Sequence, residues 1–135
     1  MNQAAPPELT LRAIVLAIIL AMILAGANVY LGLFAGLTIA SAFPAAVVSM
    51  GILRLLGGGH ILENNIVATG ASAGSSIAAG VIFTIPAQLI LGFWTDFGYS
   101  WVLAIAGLGG LLGVIFSVPL RRSLLVDLGL AFPEG

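Results

Sequence analysis

Of 135 residues, only 7% are charged and 61% are hydrophobic, with a formal net charge of −1, whereas a soluble domain carries about 25% charged and 45–50% apolar residues. Four scattered Arg and no Lys exclude a basic nucleic-acid face, and the lack of cysteine excludes disulfides, thiolate metal sites and a cysteine nucleophile. Most of this surface must therefore meet lipid or other apolar protein, and the fold class expected is all-α, a polytopic transmembrane helical bundle.

Met1–Thr10 contains no base, and the apolar run Ala13–Leu33 is too long for a cleaved signal. The run reads as a retained spanning helix at about 11–30, since about 20 apolar residues cross the hydrocarbon core. No charge falls between Arg12 and Arg54, between Glu63 and Asp96, or between Asp96 and Arg121. The first of these stretches has room for two spans, turning at Tyr30–Gly36, where glycines allow a reversal. The second helix is then about 36–55, with Pro44 inside it as a kink. Gly57-Gly58-Gly59-His60 is a loop, and a third helix covers about 64–95 with Pro86 near its far end. This stretch is longer than one span needs, so it is either one tilted helix or a broken, re-entrant one. A single crossing puts all four Arg on one side, as the positive-inside rule favours. A fourth helix is expected at about 101–118, with Trp94, Tyr99 and Trp101 as interfacial aromatics. The chain stops at Phe132-Pro133-Glu134-Gly135 without a polar tail, which reads as a cut.

Asn65, Thr69, Ser72 and Ser76 recur at helical spacing and share one face of the third helix. Such a stripe either lines a solute path or packs helices, with its hydroxyls bonded to their own backbone. Gly70 and Gly74 form a small-residue strip beside it that favours close helix approach, and Gly32/Gly36 and Gly109/Gly113 repeat the spacing. Glu63-Asn64-Asn65 opens the helix. Glu63 there is either a cap at the membrane surface or a gating, proton-accepting carboxylate, because ionisable groups at membrane depth are functional candidates. Asn28, amid apolar residues late in the first helix, needs a polar partner and is expected to face protein. His60 reads as a loop histidine, and with no second His no metal site is expected. Gly70-Ala71-Ser72-Ala73-Gly74 matches a G-x-S-x-G nucleophile pattern, but that pattern needs a strand-to-helix elbow and a downstream His, so no enzyme is expected.

Several stretches resemble the start of bacterial members of the oligopeptide transporter (OPT) superfamily. They are Glu8-Leu9-Thr10-Leu11-Arg12-Ala13, Ala27-Asn28-Val29-Tyr30-Leu31-Gly32-Leu33, Leu62-Glu63-Asn64-Asn65-Ile66-Val67 and Ala71-Ser72-Ala73-Gly74. Gly80–Ala87, Pro119–Leu124 and Phe132–Gly135 extend the match to the end. The order and spacing of these motifs carry the resemblance. It implies an N-terminal fragment of a longer, multi-pass secondary transporter of the inner membrane, packed against further helices of its own chain. It implies protons as the coupling ion, small peptides or metal–chelate complexes as substrates, and no cofactor. Phe34 stands where the bacterial pattern commonly has Lys, and Ser75 where it commonly has Glu, so any charge pair between those positions is absent here. The rival expectation is a non-transporting membrane scaffold or assembly subunit, which requires the polar stripe to be packing alone.

Overall fold

A computed structural model of the chain describes residues 9–127; Glu8 and the Phe132–Gly135 motif lie outside them. The described residues are helical with no strand, in the order α1 (Leu11–Ala35), α2 (Ala42–Leu55), α3 (Ile61–Ile90), α4 (Tyr99–Arg121) and a π-helical turn, Arg122–Asp127. Among the described residues, three segments are long and apolar enough to cross a membrane: Leu11–Ala35, Ile61–Ile90 and Tyr99–Leu125. The protein is an all-α, multi-pass membrane helical bundle, in which residues up to Thr95 form one compact unit and those from Asp96 another.

α1 starts at the Thr10 cap, whose hydroxyl accepts the Ala13 N–H at 3.3 Å. It runs five residues past the expected end. Gly32 does not turn the chain. Its missing side chain makes room for Ile82 of α3, which a Cβ on Gly32 would meet at 2.7 Å. The helix ends at Gly36, whose φ of 67° is a left-handed cap that a side chain would strain.

The second helix is shorter than its hydrophobicity suggests. Residues 37–41 are not helical, and α2 begins at Ala42 with Ser41 before it. Pro44 therefore sits in the first turn, where a missing N–H costs nothing, and starts the helix instead of kinking it. At 14 residues α2 rises about 21 Å, less than the roughly 30 Å hydrocarbon core. α3 begins at Ile61, because Glu63 accepts the N–H of His60 at 3.3 Å and caps the first turn. It is one continuous 30-residue helix through Pro86, not a broken one, and ends at Ile90 just before Gly92 (φ 77°). α4 extends beyond 101–118 at both ends, and none of its residues is buried.

Within the first unit α1 and α3 run parallel. Arg12 pairs with Glu63, Ala17 faces Gly70, Ala21 faces Gly74, and Gly32 faces Ile82. α2 packs mainly against α3, joined to it through Ser49 and Asn64. Ala13, Leu16 and Leu20 of α1, Ala45 and Leu53 of α2, and Val67, Ala68 and Ala71 of α3 form the core. Lipid is as apolar as this core, so close van der Waals packing between small residues, not water exclusion, holds α1 to α3.

Candidate functional site

The polar groups of the first unit gather at two levels. At the helix starts, Glu63 is fully buried and Arg12 closes over it. The Arg12 Nε donates to Glu63 Oε1 at 3.1 Å and the Arg12 Nη2 to Oε2 at 2.9 Å. Thr10 Oγ1 donates to Oε1 at 2.6 Å, and Arg12 also reaches the Gly58 carbonyl at 3.2 Å. With the His60 N–H, four donors meet one carboxylate and tie the start of α1 to the start of α3 across 51 residues of sequence. This bidentate, charge-assisted arrangement satisfies the buried acid. Beside it Ser49 donates to Asn64 Oδ1, both side chains buried.

The second level lies some 16 residues further along α1, about 24 Å by helical rise, within the thickness of a bilayer. There the side-chain amide of Asn28, 3% exposed, holds the non-helical segment. Its Oδ1 accepts the Ile39 N–H at 2.9 Å, and its Nδ2 donates to the Ile39 carbonyl at 3.2 Å and to Ser41 Oγ at 3.1 Å. Non-helical backbone survives at membrane depth only where protein or a polar cavity satisfies it. Asn28 supplies that satisfaction for Ile39. The packing partner expected for this residue is thus a stretch of backbone rather than another helix's side chain.

A cavity of about 430 Å³ opens between this segment and α3, lined by Asn28, Thr38, Ser41, Ser72, Ser75 and Ser76 among others. Among the described residues, no charged side chain lines it. Ser72, Ser75, Ser76 and Ala79 are spaced +3, +1 and +3 and share one face of α3. Ser76 Oγ bonds the Ser72 carbonyl at 3.0 Å, the backbone back-bonding expected of helical hydroxyls. Ser75 Oγ differs: it is buried and has no hydrogen-bond partner among the described residues.

The structure thus brings Ser72, Ser76 and Asn28 together around one cavity. Glu63 and Asn64 lie at the other level, each in its own contact, while Asn65 and Thr69 are exposed on the same stripe without a described partner. Ser72 lies mid-helix, so the G-x-S-x-G match has no elbow. Two contributors were not singled out for the site from sequence. Residues 37–41 were absorbed into a helix, though Ser41 three residues before Pro44 is a helix-start signal. Ser75 was noted only as a departure from a family pattern, because its burial depends on tertiary packing.

The model of the family described as OPT oligopeptide transporter protein matches residues 8–135. A curated Haemophilus influenzae protein with the printed name "Putative oligopeptide transporter" is 46% identical over 106 residues. That match covers 78% of this chain and 17% of the relative, so the chain spans about a sixth of the length of the curated protein it matches. No solved structure matches it. With nearly every residue inside the family match, and the helices that such a match requires in place, the chain belongs to the OPT oligopeptide transporter family.

Proposed function

We propose that the protein of which this chain forms part is a secondary transporter of small peptides or peptide-like chelates, resident in the inner membrane and driven by protons. We propose also that the cavity beside residues 37–41 belongs to its solute path. One observation carries the reading. A stretch of unwound backbone, held by a dedicated side-chain amide, lines a polar, charge-free cavity at bilayer depth. Non-helical backbone that borders a cavity within the bilayer is a recurring device of secondary transporters. A scaffold has no need to keep non-helical peptide at that depth. Family membership supports the transport class, and the relative's printed name supports peptides as substrates.

In this reading the cluster around Glu63 is a latch that holds α1 and α3 together at one end. Arg12 is the charged group in contact with Glu63, so a proton on the carboxylate weakens the hold. Asn64 secures α2 to the same end through Ser49, and Asn65 and Thr69 continue the Ser72–Ser76 stripe toward it. The test is uptake of a labelled tripeptide by the full-length protein in liposomes, with and without an inward proton gradient. Gradient-stimulated uptake is expected, its pH dependence flattened by Glu63→Gln, and blocked by Ser72→Leu at unchanged membrane abundance. If the wild type moves no peptide under any gradient, the transport reading fails. If Glu63→Gln and Ser72→Leu both transport like wild type at every pH, the site assignment fails and the transport reading stands.

A further inference from the structure

The hydrogen bonds of Asn28 settle how the unwound segment presents its backbone. The Asn28 amide engages both the N–H and the C=O of Ile39, which requires those two groups to point to the same side, as they do in an extended strand. Among the described residues no peptide bond is cis. Across a planar trans peptide the C=O of one residue points opposite to the N–H of the next. The Thr38 carbonyl and the Ala40 N–H therefore point away from Asn28; both residues are exposed, and neither group has a hydrogen-bond partner among the described residues. One is an acceptor and the other a donor, placed as the free edge of a strand places them. Across the cavity Ser75 Oγ, 3% exposed, is likewise without a partner and is able both to donate and to accept. Native proteins rarely leave such a hydroxyl unpaired, and each one needs an explanation.

From this juxtaposition we propose that the segment 37–41 and Ser75 form a subsite for the main chain of an extended peptide, with Thr38 C=O and Ala40 N–H pairing with it as a strand edge and Ser75 bonding one of its amides. This rests on the transport reading and specifies what the site recognises. Three features select a peptide backbone over other ligands. The free groups include a donor as well as acceptors, which suits an amide and not a metal cation. The cavity of about 430 Å³ is within the size range of small-molecule pockets and far larger than one ion needs. Among the described residues no charged side chain lines it, so it suits the neutral middle of a peptide and not its charged ends. Recognition through main-chain bonds is indifferent to side-chain sequence.

The experiment uses the full-length protein in liposomes and competes labelled trialanine uptake with trialanine analogues. In these, each amide is replaced in turn by an ester, which removes the N–H, or by an N-methyl amide. For the wild type, one of the replacements weakens competition about tenfold, the effect of leaving one buried hydrogen-bonding group unpaired. In Ser75→Ala that penalty shrinks to about twofold or less, while the melting temperature does not fall, because the hydroxyl has no partner within the protein to lose. Ser75→Thr, which keeps the hydroxyl, retains the penalty. The subsite is overturned if Ser75→Ala keeps the full wild-type penalty for every analogue, or if no replacement matters to the wild type. It is overturned in favour of a cation site if Ser75→Ala changes only the dependence on sodium or potassium concentration. A wild type that takes up no trialanine overturns the subsite together with the transport reading, whereas the other outcomes leave transport standing.

Discussion

Asn28→Leu tests whether one side chain keeps residues 37–41 unwound in place. Leu keeps the branching and the number of side-chain heavy atoms of Asn while removing every hydrogen-bonding atom. The substitution removes three hydrogen bonds. The Ile39 carbonyl and Ser41 Oγ keep their mutual bond at 3.2 Å, so each is only weakened. The Ile39 N–H loses its one partner and is orphaned. Ile39 is exposed, so its freed N–H is not buried and the cost is that of the lost bonds. A side-chain hydrogen bond in a membrane protein averages about 0.6 kcal/mol, so losing three puts the expected loss at about 2 kcal/mol. It falls on the segment rather than on the α1–α3 packing, because the core residues are untouched. Asn28→Asp keeps an acceptor for the Ile39 N–H and loses both donor bonds, so it separates the two contributions. Thermal unfolding of the purified full-length protein, together with the labelling rate of single cysteines at Thr38 and Ala40, reads the outcome. Asn28→Leu should lower the melting temperature and speed labelling at both positions. An Asn28→Leu protein with wild-type melting and labelling would show that the segment is held by something other than Asn28, and the clamp would have to be abandoned.

The close approach of α1 and α3 makes a second expectation. A Cβ on Gly74 would lie 2.9 Å from the Ala21 Cβ and 3.5 Å from its Cα, so Gly74→Val must part the helices, at about 1–3 kcal/mol for overpacking. Ala21→Gly should recover much of that loss in a thermal melt, and an equally stable single variant without rescue would refute the register. Gly70→Ala meets only the Ala17 Cβ, at 3.1 Å, and should be the milder change. For the charged end, Arg12→Met strands a buried carboxylate, whereas Arg12→Met with Glu63→Leu removes both charges. The double variant should melt higher than Arg12→Met alone; the reverse order would mean that Arg12 does not compensate Glu63.

The class of this protein was legible in its residues because lipid imposes a composition. A chain with 7% charge has no other solvent, and helices are the only spanning structure whose backbone satisfies itself without partners. Helical spacing likewise put Ser72 and Ser76 on one face, and the isolation of Asn28 among apolar neighbours required it to find a partner inside. Gly70 and Gly74 announced a close helix contact by their size alone. What those patterns lack is any record of which residues meet across the chain. That α1 and α3 run parallel, so that Arg12 reaches Glu63 and Asn28 stands level with Ile39, is a property of packing. Residues 37–41 are hydrophobic enough to continue a helix, but they follow the left-handed cap at Gly36, and Asn28 then holds the Ile39 backbone by hydrogen bonds that a helix would otherwise supply. Ser75 differs from its neighbours Ser72 and Ser76 only by a rotation about the helix axis, which turns it toward the packed side and deprives its hydroxyl of a partner. The tertiary structure alone decided these features, since each depends on a distance between residues far apart in sequence.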